Sequence, residues 1–312
     1  MTDATATMTA SSASAPMAKT RYKSPTVRGR LPVLLLFLPP ALLLFTLFVI
    51  LPMGEAAWYS LYRWNGYGPP ENFVGLRNFE VLFNNAAFST ALINNGLIIL
   101  VSLFLQIPLA IWLAMMLAHR ITGVIAFRLI FFLPYVLADV AAGLIWRFVY
   151  DGDYGLFAAI AGFFGVATPY VLADKSLAIY AVLAVVIWKY FGFHMMLFIA
   201  GLQAVDKNVL EAAEIDGATG WQKFRYVTLP LLGSTVRISV FFAIIGSLQL
   251  FDLIMPLTGG GPLNSTQTLV TFLYTYGVMR MQVGLGSAVG VVLFVICVTL
   301  AFGYKRIFMR HD

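Results

Sequence analysis

The chain has 312 residues, 60% of them hydrophobic and 11% charged, with a formal net charge of +6. So apolar a composition lies outside the range of soluble domains and points to an integral membrane protein. The single cysteine, Cys297, excludes an internal disulfide, and His119, His194 and His311 fall in separate segments without metal-ligand spacing, so no metal site is expected.

Taken in chain order, residues 1–30 open with Ala, Thr and Ser and then gather Lys19, Arg21, Lys23, Arg28 and Arg30. This predicts a disordered basic tail. The apolar run Pro32–Pro52 exceeds the core of about 7 to 15 residues found in signal peptides, so 31–53 is read as an uncleaved anchor helix. Residues 54–91 are expected to form an external loop and 92–308 to hold the core. Windows of about 20 apolar residues, enough to cross roughly 30 Å of hydrocarbon, fall near Pro32–Pro52, Leu92–Leu117, Leu129–Val149, Ser176–Ala200, Val236–Leu257 and Gly284–Phe308. The fold class is therefore all-α integral membrane with six transmembrane helices.

Lys and Arg in the connections set the orientation, because basic loops stay on the cytoplasmic side. The N-terminal tail, Arg120 and Arg128, Lys207, Lys223, Arg225 and Arg237, and Lys305, Arg306 and Arg310 together hold fourteen. The opposite segments hold Arg63, Arg77, Arg147, Lys175 and Arg280, with Lys189 inside a span. Both termini, including the tail 309–312, are expected in the cytoplasm.

Between the fourth and fifth spans, 206–230 forms a charged island in this greasy chain, carrying Asp206, Lys207, Glu211, Glu214, Asp216, Lys223 and Arg225. It must face water. Asp206 is a good N-cap, Val209–Asp216 can make two helical turns, and Gly217 can end them in the left-handed conformation. Thr219 with Gln222 reads as a capping box that opens a second short helix closed by Pro230. The island is a helix-turn-helix elbow.

Glu211-Ala212-Ala213, Gly217 and Leu229-Pro230 reproduce the register of the EAA signature, with Val227 where that signature usually has Ile. The island thus resembles the coupling elbow of permease subunits in bacterial binding-protein-dependent ABC importers. Four further stretches look like carbohydrate-importer permeases: FVGLRNF at Phe73–Phe79, Phe131–Pro134, Trp146-Arg147, and Asp153-Tyr154-Gly155. TGGGPLNST at Thr258–Thr266 is similar to the external loop after the fifth span in the maltose and glycerol-phosphate branch, and FVGLRNF to the first of its two permeases.

The resemblance implies an inner-membrane importer subunit whose core is the 92–308 segment and whose residues Glu211, Ala212, Ala213, Glu214, Asp216, Gly217, Leu229 and Pro230 couple it to an ATPase. Its implied partners are a second permease in a heterodimer, two cytoplasmic ATPase subunits, an external solute-binding protein, membrane lipid and a sugar-type solute, with no nucleic acid. No cofactor is expected in this chain, since ATP and Mg would be bound by the ATPase, and no catalytic residue is assigned.

Ionisable groups inside spans need a reason. Asp139 and Lys189 stand at similar depth in consecutive antiparallel spans and can pair, or Lys189 can meet an anionic solute. Asp252, at the outer end of the fifth span, caps or gates that end, next to a tight external turn at Gly259, Gly260, Gly261 and Pro262. That turn lacks the Lys-Ser or Lys-Thr of a phosphate-binding loop. Aromatic faces and polar side chains suited to sugars are Trp188, Tyr190, His194 and Gln249, set against an alternative role for the aromatics in packing, with Asn94 and Asn95 as weaker candidates. Two other classes compete. An ion-coupled secondary transporter has no use for the EAA register, and an integral-membrane enzyme needs a catalytic cluster that the sequence does not contain.

Overall fold

The computed structural model describes residues 27–118 and 123–308. Residues 1–26 of the expected disordered tail, His119 and Arg120 in the basic turn, and Arg310 and His311 at the C-terminus lie outside the described residues, while residues 27–30, expected as part of that tail, are helical. Two compact units divide the chain, ending and beginning at Met53 and Gly54. The described part of the first is helical, from Val27 through Phe45 and a π-helical turn at Thr46–Ile50, and this helix, α1, ends at Tyr59.

The second unit carries α2 (Arg77–Phe83), α3 (Ala86–Ala118), α4 (Val124–Val136), α5 (Asp139–Val149), α6 (Leu156–Phe163) and α7 (Ala178–Gln203). It continues with α8 (Lys207–Ile215), α9 (Gly220–Leu231), α10 (Gly233–Leu248), α11 (Ile254–Thr258), α12 (Leu269–Met279) and α13 (Val283–Phe308). No strand occurs among the described residues beyond one isolated bridge, Tyr62 to Phe73. Among the described residues, four helices are long and apolar enough to cross a membrane, and up to six spans result if each sharply bent pair counts as one.

The central helix is α7, the most buried of the long four. Helices in lipid gain no hydrophobic drive from meeting one another, so they associate through close packing, which small residues permit. Gly192 does this where α7 crosses α4: a Cβ there would collide with the Phe131 carbonyl. Buried Met195, Phe198 and Ile199 of α7 pack on Ile107, Ala110, Ile111 and Ala114 of α3. Val182, Val185 and Val186 meet Ile98 of α3, Ala142 of α5 and Leu253, Ile254 and Leu257 around α11.

Several elements differ from the sequence expectation, among them the segment 54–91, expected as a loop, which holds α2 and the start of α3. The third span is not one helix: α4 and α5 meet at 98°, with Leu137 and Ala138 extended between them. Pro134 removes a backbone donor near the end of α4, and the carbonyls left orphaned where the helix ends find another partner, described below. The fifth span stops at Leu248 rather than Leu257. Asn95 Nδ2 donates to the Ser247 carbonyl at 2.7 Å and Thr268 Oγ1 to the Leu250 carbonyl at 3.0 Å, so side chains take acceptors that a continuing helix would have used. The stretch after Pro262 contains a helix, α12, whose Leu269, Phe272 and Tyr276 are buried against Phe88, Leu285 and Val289.

Candidate functional site

At the α4–α5 break, Lys189 of α7 is only 1% exposed. Its ammonium donates to the carbonyls of Pro134 and Tyr135 at 3.0 Å each and closely to that of Leu137, and lies 3.1 Å from Asp139 Oδ1. The cation therefore stands at the C-terminal end of α4, where orphan carbonyls and the helix dipole favour it, and its anion begins α5, where a negative charge is favoured. The Asp139–Lys189 pair is formed. The Tyr190 hydroxyl donates to Asp139 Oδ2 at 2.9 Å and completes a cluster.

Asp139 also opens onto a cavity of about 610 Å³, within the range of small-molecule sites. Its wall takes Ile98, Ser102 and Gln106 from α3, Tyr135 from α4, and Val186, Tyr190, Phe193 and His194 from α7. Phe242, Ala243, Gly246 and Ser247 of α10 face these, and the non-helical residues Gln249, Leu250, Phe251 and Asp252 complete the wall. Ser102 and Gln106 bound a π-helical turn inside α3, a distortion often found at functional positions. His194 Nδ1 is 2.7 Å from Ser239 Oγ, a buried hydrogen bond that fixes the ring.

The structure thus brings Tyr190, His194, Gln249 and Asp252 to one cavity. It does not bring Trp188 or Lys189 there. Trp188 turns to the other side of α7, its ring 5.3 Å from that of Trp146 in an edge-to-face contact, because adjacent residues on a helix point about 100° apart. Lys189 is enclosed by its carbonyls. Asp252, expected to cap or gate the end of the fifth span, caps no helix: it lies in the break after α10 and lines the cavity. Asn94 and Asn95 are clamps: Asn94 Nδ2 donates to the Ser265 and Gln267 carbonyls at 2.8 Å each, and Asn95 Oδ1 accepts the Leu269 N–H at 2.8 Å.

Sequence reading missed Ser102, Gln106, Tyr135 and Phe193. Gln106, a polar side chain inside an apolar span, carried the same signal as Asp139.

The glycine-rich turn holds Gly259 and Gly260 at φ 62 and 83, with Pro262 following, and Thr266 Oγ1 donates to the Gly261 carbonyl at 2.7 Å. In FVGLRNF, Asn78 Nδ2 donates to the Ser60 and Tyr62 carbonyls at 2.8 Å each, tying α2 to the chain that follows α1.

At the elbow, Asp206 accepts the Asn208 N–H at 2.9 Å and caps α8, Gly217 has φ 78, and Thr219 and Gln222 form a capping box opening α9. Pro230 does not close that helix, which runs to Leu231 and bends 69° into α10. The widened π turn Phe224–Thr228 just before Pro230 accommodates its ring. Lys223 pairs with Glu214 and holds the Glu214 carboxyl below the usual glutamate range, through its hydrogen bond first and its charge second. Glu211, Ala212, Asp216 and Pro230 are exposed, while Ala213 and Leu229 are half-buried. Ile215, Trp221 and Tyr226 also stand out into solvent.

Comparison with known proteins gives a consistent match. The probable ABC transporter permease protein YurN of Bacillus subtilis is 32% identical over 88% of this chain and 94% of its own length. The trehalose/maltose transport system permease protein MalF of Thermococcus litoralis is 31% identical over 87% and 92%. The sn-glycerol-3-phosphate transport system permease protein UgpA of Agrobacterium fabrum is 31% identical over 88% and 94%. In fold, a chain of a bacterial alginate ABC transporter, crystallised with an alginate pentasaccharide-bound periplasmic protein, superposes with a TM-score of 0.77 at 22% identity, over 89% of this chain and 94% of that one. The family description "binding-protein-dependent transport system inner membrane component" matches residues 29–311, and the chain belongs to that family.

Proposed function

We propose that the chain is the non-catalytic membrane subunit of an ATP-driven importer for a sugar, oligosaccharide or sugar or polyol derivative, coupled to a cytoplasmic ATPase through the α8–α9 elbow. One observation carries the coupling half of this reading. The elbow is a capped, internally braced helix pair that nonetheless leaves the Glu211 carboxylate and the apolar side chains of Ile215, Trp221 and Tyr226 outside the fold. Exposed groups of both kinds on one rigid element suit a protein partner.

In this reading both termini and the elbow are cytoplasmic, as the basic residues require. A second permease completes the pathway, two ATPase subunits bind ATP and Mg, and an external binding protein delivers solute. The sugar class draws support from relatives named for trehalose/maltose and for diacetylchitobiose uptake. Relatives named for a neutral disaccharide and for a phosphorylated polyol stand at the same 31% identity, so likeness alone does not select the charge of the solute.

Charge reversal at Glu211 tests the coupling. In Glu211→Lys, uptake of the binding protein's ligand is expected to fall to background, and binding-protein-stimulated ATP hydrolysis with it, while the complex assembles at wild-type levels. Wild-type uptake by an assembled Glu211→Lys complex overturns the reading.

A further inference from the structure

The polar groups on the cavity wall are unequal in sign. Asp139 presents a carboxylate that is 35% exposed, and Asp252 lines the same space with no ion-pair or hydrogen-bond partner among the described residues. Gln106, buried to 1% exposure at the wall, has an amide oxygen with no donor among the described residues. Among the described residues, no Lys or Arg lines the cavity. The nearby cation, Lys189, is turned into three carbonyls and Asp139, and the hydroxyl of Tyr190 is already donated to Asp139. The C-terminal end of α10 at Leu248 adds the negative end of a helix dipole.

We propose that this cavity accepts uncharged, hydroxyl-rich solutes and rejects anions, with Asp252 as the specificity-determining residue and Asp139 as a second acceptor held in place by Lys189 and Tyr190. The proposal rests on reading the chain as a sugar permease and narrows that reading to a substrate class. Sugar hydroxyls are donors, and ionised carboxylates accept only, so a neutral sugar satisfies Asp139, Asp252 and the orphan oxygen of Gln106 together. A phosphate or carboxylate brings acceptors to acceptors and adds like-charge repulsion in a cleft whose low-dielectric walls focus the field. Tyr135 and Phe193, stacked with centroids 4.9 Å apart, supply the apolar faces that sugar C–H groups require.

The test reads the sign of the field directly, in the purified complex with Cys297→Ser. A thiol is introduced by Gly246→Cys, where a Cβ meets nothing within 4 Å. Its rates with the cationic trimethylammonium-ethyl and the anionic sulfonatoethyl methanethiosulfonates are measured and their ratio is divided by that for 2-mercaptoethanol. The normalised ratio is expected to be about tenfold above one, and Asp252→Asn, an exposed and unpartnered site, to lower it by roughly threefold.

Glucose and glucuronate, the same ring with and without a carboxylate, are then used as protectants. Glucose is expected to slow modification and glucuronate not to, with Asp252→Asn narrowing the difference. A normalised ratio at or below one, or protection by glucuronate equal to that by glucose, overturns the proposal. Protection by neither sugar overturns both the proposal and the assignment of this cavity to sugar. Failure of the importer reading registers separately, as unchanged uptake in Glu211→Lys.

Discussion

Replacing Lys189 by methionine keeps the length of the side chain and removes its charge, which isolates what the ammonium does. It donates to three carbonyls at the end of α4, and each carbonyl left without a donor costs about 1 kcal/mol at the low end of the range for buried groups. That end of the range is the right one because Tyr135 borders the cavity, where water can reach. The ion pair contributes less, about 1 kcal/mol or below, since Asp139 is 35% exposed and solvent screens it. The carbonyls therefore outweigh the pair, and Lys189→Met is expected to destabilise by about 3 kcal/mol.

Asp139→Asn leaves the ammonium its three carbonyls and still offers an amide oxygen, so its cost is expected near 1 kcal/mol. Heating the detergent-solubilised complex and following tryptophan fluorescence, with Trp188 and Trp146 beside the break, reads both. Lys189→Met should lower the midpoint by roughly 5 to 10 °C and Asp139→Asn by a few degrees. A Lys189→Met midpoint within about 1 °C of wild type, or an Asp139→Asn loss as large as that of Lys189→Met, refutes the argument that the carbonyls dominate.

Three further outcomes follow from the same geometry. With Cys297→Ser, Leu263→Cys in the external turn should react with a membrane-impermeant thiol reagent on intact cells and Ile215→Cys at the elbow should not; both are well exposed, so reversed labelling means reversed orientation. Because Lys223 depresses the Glu214 pKa, the elbow pair contributes stability that is present above glutamate's ordinary value and lost as pH falls through the depressed one. A ¹³C-glutamate titration should show the Glu214 midpoint rising in Lys223→Met, and an unmoved midpoint counts against the pair. Gly192→Val places a side chain against the Phe131 carbonyl and should cost about 1 to 3 kcal/mol, seen as a lower yield of assembled complex; undiminished yield and thermal stability argue against the tight α4–α7 crossing.

The elbow was legible because its chemistry is local. Asp206, Gly217, Thr219 and Gln222 act on backbone groups within three residues of themselves, so spacing along the chain decides the structure. Long spans were legible for a similar reason, since hydrocarbon thickness converts directly into residue number. The α4–α5 break was not, because its stabilising partner, Lys189, arrives from more than fifty residues away. Helix α12 escaped notice because it is too short to span, and its burial depends on Phe88, Leu285 and Val289 rather than on its own periodicity. Trp188 and Tyr190 looked alike in sequence. The rotation of two residues around α7 sends one into packing against Trp146 and the other to the cavity.

The two interruptions have one cause in the physics of the bilayer. Backbone that leaves the helix at membrane depth must be buried in protein or must line a wet cavity, because lipid offers no hydrogen bonds. Leu137–Ala138 and Gln249–Leu253 both meet that condition at the same place: Tyr135 and Asp139 flank the first interruption, Gln249 through Asp252 belong to the second, and all of them line the cavity. Each interruption is satisfied by side chains of a neighbouring element, Lys189 for the first and Thr268 for the second. A continuous helix at either site would close the backbone on itself and withdraw Asp139 or Asp252 from the wall. The irregular segments are therefore what place the carboxylates of Asp139 and Asp252 on the cavity wall.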